Sequence, residues 1–425
     1  MNLDQKLAQL KKAAKTTVRQ GELDRQLEYL RRLEEHPRPL PAQRVTKGIE
    51  EYVEGRVETN AQGEFFVARQ ALPFGRPYGK MRIADLAASD LASLHLVFNG
   101  VDLPDPSRLI YLDTETTGLA GGTGTCAFLI GIGAVEGAQF VVRQIFLRNY
   151  PEEKAALAAL AEMLGAYEGV VTFNGKTFDI PLLETRYTLA RMKSPFSRML
   201  HFDLLHPARR LWRLRLASCE LTNLEKHILG IVRKGDVDGA DIPKIYFDYL
   251  RSGHAESLQP VFYHNALDIV TLAALAVEMA SVLREDDGAL DSSLDLFSLS
   301  RILERARATE RATAACREAL KQGLPVNVES QALWQLAAQH KKRREHAQAV
   351  ELWSELARRE EPLSVNALEE LAIHYEHRQR DAVAALNFTH SALGRLRQRS
   401  DSNSQVKRFH KRRARLEGKV SAVAR

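Results

Sequence analysis

Three runs decide the fold: SRLIYLDTET (residues 107–116), CAFLIGIGAV (126–135) and QFVVRQIFL (139–147). Each is rich in β-branched and aromatic residues, and their closeness predicts an antiparallel meander. PEEKAALAALAEML (151–164) then predicts a helix opened by Pro151. GVVTFN (169–174) reads as a short buried strand, and FDIPLLETRYTLAR (178–191) returns to helix. Strands alternating with helices predict an α/β layer. TNLE (222–225) reads as a capping box for a helix stopped by Gly230. Pro243 starts another helix that ends near Gly253, and Ser257 to Leu283 is one long periodic helix.

Outward from this centre the texture changes on both sides. Upstream, Leu3, Leu7 and Leu10 lie at helical spacing, and the proline cluster HPRPLP (36–41) breaks the chain. RVETNAQGEFFVARQ (56–70) alternates and turns at Gly63, which predicts a hairpin that covers an edge of the main sheet. Residues 1–105 form this leader and 106–285 the α/β domain. Downstream, ALWQLAAQH (332–340) and ALEELAIHY (367–375) are offset by 35 residues, as are Ala347/Ala382, Ala349/Ala384 and Trp353/Phe388. RATAACREAL (311–320) lies about one further period upstream. A small residue beside a large apolar one at this period predicts an all-α helical-repeat domain over 290–394 that resembles tetratricopeptide repeats. A plain helical bundle is the alternative.

Composition narrows the class. With 45% apolar residues the chain can bury a sizeable core. Its apolar runs, such as LAALAVEMASVL from Leu272, read as shorter than the roughly 20 residues that span a bilayer, so no membrane partner is expected. The first residues, MNLDQKLAQLKK, carry no apolar signal region. Cys126, Cys219 and Cys316 lack metal-like spacing and read as reduced core residues of a cytoplasmic protein. The net charge of +6 favours a polyanionic partner weakly. The tail (395–425) is more informative: from Gly394 onward it carries eleven Lys/Arg against two acids. A phosphate-contacting arm and a solvated basic helix both remain open there.

Asp113 and Glu115 stand two apart on a predicted strand and so share a face. Two carboxylates there repel unless a cation lies between them, and oxygen ligands suit Mg²⁺ or Mn²⁺. A polar turn that happens to hold two acids is the bland alternative. Asp179 opens a helix after the Gly175 turn, where it also complements the helix dipole. His264 and Asp268 lie one turn apart on an otherwise apolar helix. Four acids of this kind allow a two-metal clamp on an in-line phosphoryl displacement. The glycines of GLAGGTGT (118–125) fit neither a dinucleotide fingerprint nor a P-loop, because a strand follows. They form either a substrate loop or a simple hairpin. Lys176 is either a phosphate contact or a solvated turn residue, and Asp203 is expected to orient a neighbouring basic residue rather than to ligate.

DTETTGL, FNGKTFD and HNALD resemble the three exonuclease motifs of the DEDD superfamily. FDLLHPARRLW and LASCELTNLEKHILGI, with the helical tail, narrow the resemblance to YprB-type RNase H-like proteins, related to the proofreading domain of family-B polymerases. The resemblance is specific over residues 108–283. It implies an RNase H-like mixed sheet flanked by helices, with Asp113, Glu115, Asp179 and Asp268 holding two divalent cations and Asp113 bridging them. The same motifs imply substrate contacts by Thr116, Thr117, Leu119, Asn174 and Lys176. DEDD nucleases place a Tyr four residues, or a His five residues, before the last Asp; here His264 is four before and Tyr263 five before. Four residues is about one helical turn, so His264 is expected to be the general base and Tyr263 a packing residue. The expected function is a metal-dependent nuclease acting from a 3′ end on DNA or RNA, with a protein partner possible at the repeats. An RNase H-type endonuclease and a non-catalytic adaptor are the alternatives.

Overall fold

The structure, a computed structural model, describes residues 48–118, 124–284, 290–399 and 403–423. The expectations for the first 47 residues and for Leu119 fall outside the described residues. The described chain forms two compact units, divided within 209–218 and near 284.

The first unit is built on a seven-stranded sheet in the order β1-β2-β7-β6-β5-β8-β9. The meander expected from 107–147 is present as β5 (Leu109–Thr116), β6 (Ala127–Glu136) and β7 (Gln139–Phe146), paired antiparallel. β8 (Gly169–Thr172) and β9 (Leu200–Asp203) continue it in parallel on the other side of β5. The expected hairpin, β1 (Gly55–Asn60) and β2 (Gly63–Pro73), adds to the β7 edge with Phe66 opposite Phe146. A small ribbon, β3 (Pro77–Tyr78) and β4 (Met81–Arg82), stands apart from the sheet.

Helix α1 (Glu153–Leu164) covers β1 and β2, and α2 (Asp179–Leu189) follows β8. Helix α3 (Gln259–Leu283) lies across β5, β6 and β7. Phe66, Phe146 and Phe262 meet there in the core, and each buried ring of this kind contributes about 1.5–3 kcal/mol. Together with its preceding turn, α3 makes a 28-residue stretch, Glu256–Leu283, that is long and apolar enough to cross a membrane, so the reading from short apolar runs needs correction. It was misleading because His264, Asn265 and Asp268 toward one end and Glu278 toward the other break the stretch into shorter apolar runs. Its packing is that of a core helix: 72% of the apolar window is buried, against the sheet.

Two glycines set how closely α3 approaches. A Cβ at Gly131 would stand 2.1 Å from the Asn265 amide oxygen, and one at Gly133 would stand 2.3 Å from Ile269. Glycine inside a strand otherwise weakens it; here it admits a helix.

The second unit is all-helical. Successive hairpins are α4 (Ser293–Arg305) with α5 (Thr309–Gln322), α6 (Val326–Lys342) with α7 (His346–Arg358), and α8 (Pro362–His374) with α9 (Ala382–Arg399). First helices keep the expected offset of 35, since Ala332 and Ala367 are both fully buried. Second helices do not: buried Ala349 corresponds to Ala385 rather than Ala384. The extra residue enters at a π-helical turn, Tyr375–Gln379, which ends α8.

The basic tail is helix α10 (Asn403–Val423), which buries Phe409 and Leu416. Arg408 and Arg412 pair with Glu369, while Arg415 and Lys419 pair with Glu376. Much of its charge is therefore spent inside this unit.

Candidate active site

β5 is buried as far as Leu112 and then emerges with Asp113, Thr114, Glu115 and Thr116 at its end. Its pairing with β6 shifts at Glu115/Thr116, an irregularity of the kind that re-aims side chains beside functional sites. β8 ends at Thr172, so the turn to α2 brings Asp179 beside β5, where the Thr114 hydroxyl donates to Asp179 Oδ1 at 2.5 Å. Buried Asp203 accepts from the backbone N–H groups of Asn174 (2.8 Å), Lys176 (3.0 Å) and Leu205 (3.0 Å). Asp203 thus holds the turn backbone, not the basic side chain expected from sequence. Gly175 is needed here, because a Cβ would come within 2.4 Å of Thr172 Oγ1.

α3 supplies the rest. Asn265, fully buried, donates from Nδ2 to Asp113 Oδ2 at 3.0 Å and accepts from Gln144 Nε2 at 3.0 Å. One oxygen of Glu115, one nitrogen of His264 and one oxygen of Asp268 all lie within 4.8 Å of one another. Asp113 and Asp179 lie near enough to this group for the charges of all four acids to act on one another. Burial, then the charges of Asp268, Asp179 and Glu115, push the Asp113 carboxyl well above the usual range. Burial, Asp268 and Asp179 push Glu115 up to about 8. Asp179 is pushed by burial to about 6, against the opposing bond from Thr114. Converging acids with raised proton affinity and all-oxygen donors fit a hard divalent cation.

A buried network that the sequence did not reveal surrounds the acids. Arg233, only 7% exposed, pairs with Glu225 at 2.6 Å, with Asp236 at 3.0 Å and with Asp268 Oδ1. Asp236 accepts from His264 Nδ1 at 2.9 Å, which turns Nε2 toward Asp268 Oδ2 at 3.4 Å. Glu225 also accepts from the Thr271 hydroxyl, and Tyr78 lies 2.6 Å from Thr271 Oγ1. The capping box expected at 222–225 is absent: the helix starts at Leu221 after Glu220, and Glu225 faces Arg233 instead. The acids of GDVDGAD (235–241) carry no motif in the sequence that ties them to the site. The signal available was Gly131–Ile132–Gly133, which announces a close approach to β6 but not by which residues.

The expected substrate contacts divide. The Thr116 hydroxyl donates to the Gly118 carbonyl, and the Thr117 hydroxyl accepts from the Cys126 N–H, so both brace the loop after β5. Asn174 sits in the left-handed region at φ 66°, and Lys176 is exposed. Tyr263, expected to pack, is 43% exposed, because it faces outward from α3 beside His264. A separate cavity of about 420 Å³, lined by Asn60, Glu136, Arg143 and Tyr167 among others, holds none of the four acids. Its Arg143 is already bound by Glu136.

Residues 110–280 match the family model described as RNase_H superfamily. YprB, an uncharacterized protein of Bacillus subtilis (strain 168), is 30% identical over 322 residues, which cover 74% of this chain and 76% of YprB. The chain belongs to the YprB family. A YprB-family chain with an RNase H superfamily domain and this acidic site has the features of a metal-dependent nuclease.

Proposed function

We propose that the protein is a 3′-to-5′ exonuclease that hydrolyses phosphodiester bonds with two divalent cations, Mg²⁺ or Mn²⁺, at the acid site. The observation that carries this reading is the convergence of Asp113, Glu115, Asp179 and Asp268 beside a histidine aligned by its own carboxylate. Asp113, Glu115, Asp179 and Asp268 would hold the cations. When bound, such ions activate the attacking water and neutralise the departing oxygen. His264 takes the proton of that water at Nε2, because Asp236 occupies Nδ1 and fixes the ring. Arg233 engages Asp268 Oδ1 and leaves Oδ2 facing the site. Asn265 holds the Asp113 carboxylate in a fixed orientation. Thr116, Thr117, Asn174 and Lys176 border the acids and would meet the terminal nucleotide. The helical hairpins are read as tetratricopeptide-like repeats.

The test is cleavage of single- and double-stranded DNA and RNA, labelled at either end, by purified protein with Mg²⁺ or Mn²⁺. Stepwise shortening of 5′-labelled strands is the expected result. Internal cuts would favour an RNase H-type endonuclease. No cleavage of any substrate with either ion would sink the nuclease reading.

A further inference from the structure

In each of the three hairpins, the turn between first and second helix carries an arginine with positive φ: Arg307 (63°), Arg344 (63°) and Arg380 (54°). This left-handed region favours glycine and strains an L-residue with a side chain, yet a cationic residue stands there each time. The first helices run parallel. Gln335 of α6 bonds Ser300 of α4 at 3.2 Å, and Lys342 meets Glu304 at 3.3 Å. Lys341 in turn meets Glu370 of α8 at 2.6 Å. The three turns therefore follow one another along one edge of the helical unit, and the His346 and His374 rings, 6.1 Å apart, join the second to the third.

Arg305, Arg307, Arg344, Arg378 and Arg380 are exposed and make no ion pair among the described residues. Lys341 and Lys342 each hold one acid. The turns are close enough to act on shared neighbours: burial, then Arg378, Arg344 and Lys341, hold His346 below the usual histidine range. Complementing helix C-terminal dipoles accounts for basic residues in a last turn. It does not account for arginine at the strained position beyond it. α10, by contrast, spends Arg408, Arg412, Arg415 and Lys419 on Glu369 and Glu376.

We infer that the exposed arginines of these three turns form a ridge that binds the sugar-phosphate backbone of nucleic acid. The choice of nucleic acid over another polyanion rests on the nuclease reading. Exposed guanidinium groups on successive turns, with no ion pair among the described residues, suit a phosphate chain, whose charges accept bidentate donors. The ridge engages backbone only, so it tracks a strand without reading sequence.

The experiment measures binding of the full chain to a labelled oligonucleotide in chelator across a salt series. The wild-type protein is compared with R307Q/R344Q/R378Q/R380Q, with the same four sites changed to Lys, and with the tail variant K407Q/K411Q. Each phosphate contact contributes about 0.7–0.9 to the slope of log K against log salt. The glutamine variant should lose about three of slope and bind at least about tenfold more weakly. The lysine variant should recover most of the slope, which separates charge from folding, and the tail variant should match wild type. Equal slopes for wild type and glutamine variant would overturn the ridge. So would glutamine and lysine variants that lose binding alike, or a wild-type protein that ignores oligonucleotides and binds poly-glutamate instead. Failure of the nuclease reading shows separately, as absence of cleavage by the wild-type protein with Mg²⁺ or Mn²⁺.

Discussion

Asp113 and Glu376 are both carboxylates withdrawn from water, and their surroundings are opposite. Asp113, in the sheet unit, faces three further acids that add to the effect of burial and raise its proton affinity. Glu376, in the helical unit, has a fully buried side chain, but Lys419 and Arg415 bond it and outweigh burial, so its pKa is lowered. The helical unit supplies the cations for its buried charge from its own last helix. The sheet unit supplies one arginine, Arg233, to a cluster of acids, and leaves the remainder for ions from solution. Buried like charges mark a receptor for an ion, and buried unlike charges mark a strut.

The sharpest way to break this comparison is at its centre. Asp113→Asn removes a ligand and also relieves repulsion. Cleavage should fall by at least about 10³-fold, or ~4 kcal/mol, while the melting temperature holds or rises. An active variant would mean that the acids are not a cation site.

Arg233→Met tests whether the sheet unit's one internal cation is a strut. It strands Glu225, whose side chain is 1% exposed, and should destabilise the fold by about 3–5 kcal/mol in denaturant unfolding. Glu225→Gln with Arg233→Met should recover part of that loss, since Glu225 is then no longer a stranded charge, while Asp236 and Asp268 keep only His264 as a partner. A single variant as stable as wild type would show that the pair carries no structural weight.

The third prediction concerns pH. The Glu115 carboxyl rises from 4.5 to about 8 in the folded protein. A raised carboxyl pKa means that the folded state holds the proton more tightly than the unfolded chain, so this contribution is present below 4.5 and lost as pH rises through about 8. In chelator the melting temperature should therefore decline across that window, and Mg²⁺ or Mn²⁺ should restore it most at the alkaline end. A decline that cations leave unchanged would assign it to groups outside the acid site.

The smallest effect belongs to the helical unit. Arg344→Gly relieves the left-handed strain and should stabilise by about 0.5–1 kcal/mol. A loss of stability would show that the Arg344 side chain makes a contact worth more than the strain.

How much was legible follows from where each interaction closes. Asp113, Glu115, Asp179, His264 and Asp268 sit in short segments whose strand or helix period already fixes their facing. The meander, the short strand at 169–174 and the hairpin at 56–70 were legible for the same reason, whereas the strand Leu200–Asp203 was not read. Arg233, Asp236, Glu225 and Asn265 were not, because their partners lie far along the chain: Arg233 and Asp268 are 35 residues apart, and Asn265 and Asp113 are 152 apart. No local pattern separates a charged loop that stays in water from one that folds over a helix. The offset of 35 was readable from the alanines, but the π-helical turn at Tyr375–Gln379 was not, since an inserted residue in a helix leaves no compositional mark.

The separation of Asn265 from Asp113 also bears on the order of events in folding. Contacts closed over such a long stretch of chain form late, after the sheet and the helix that crosses it have both been made. An ion that needs Asp113 and Asp268 together has no binding site on a growing or half-folded chain. It meets only the completed sheet unit and then draws the equilibrium toward it by mass action, so loading with metal would report that this unit has finished folding.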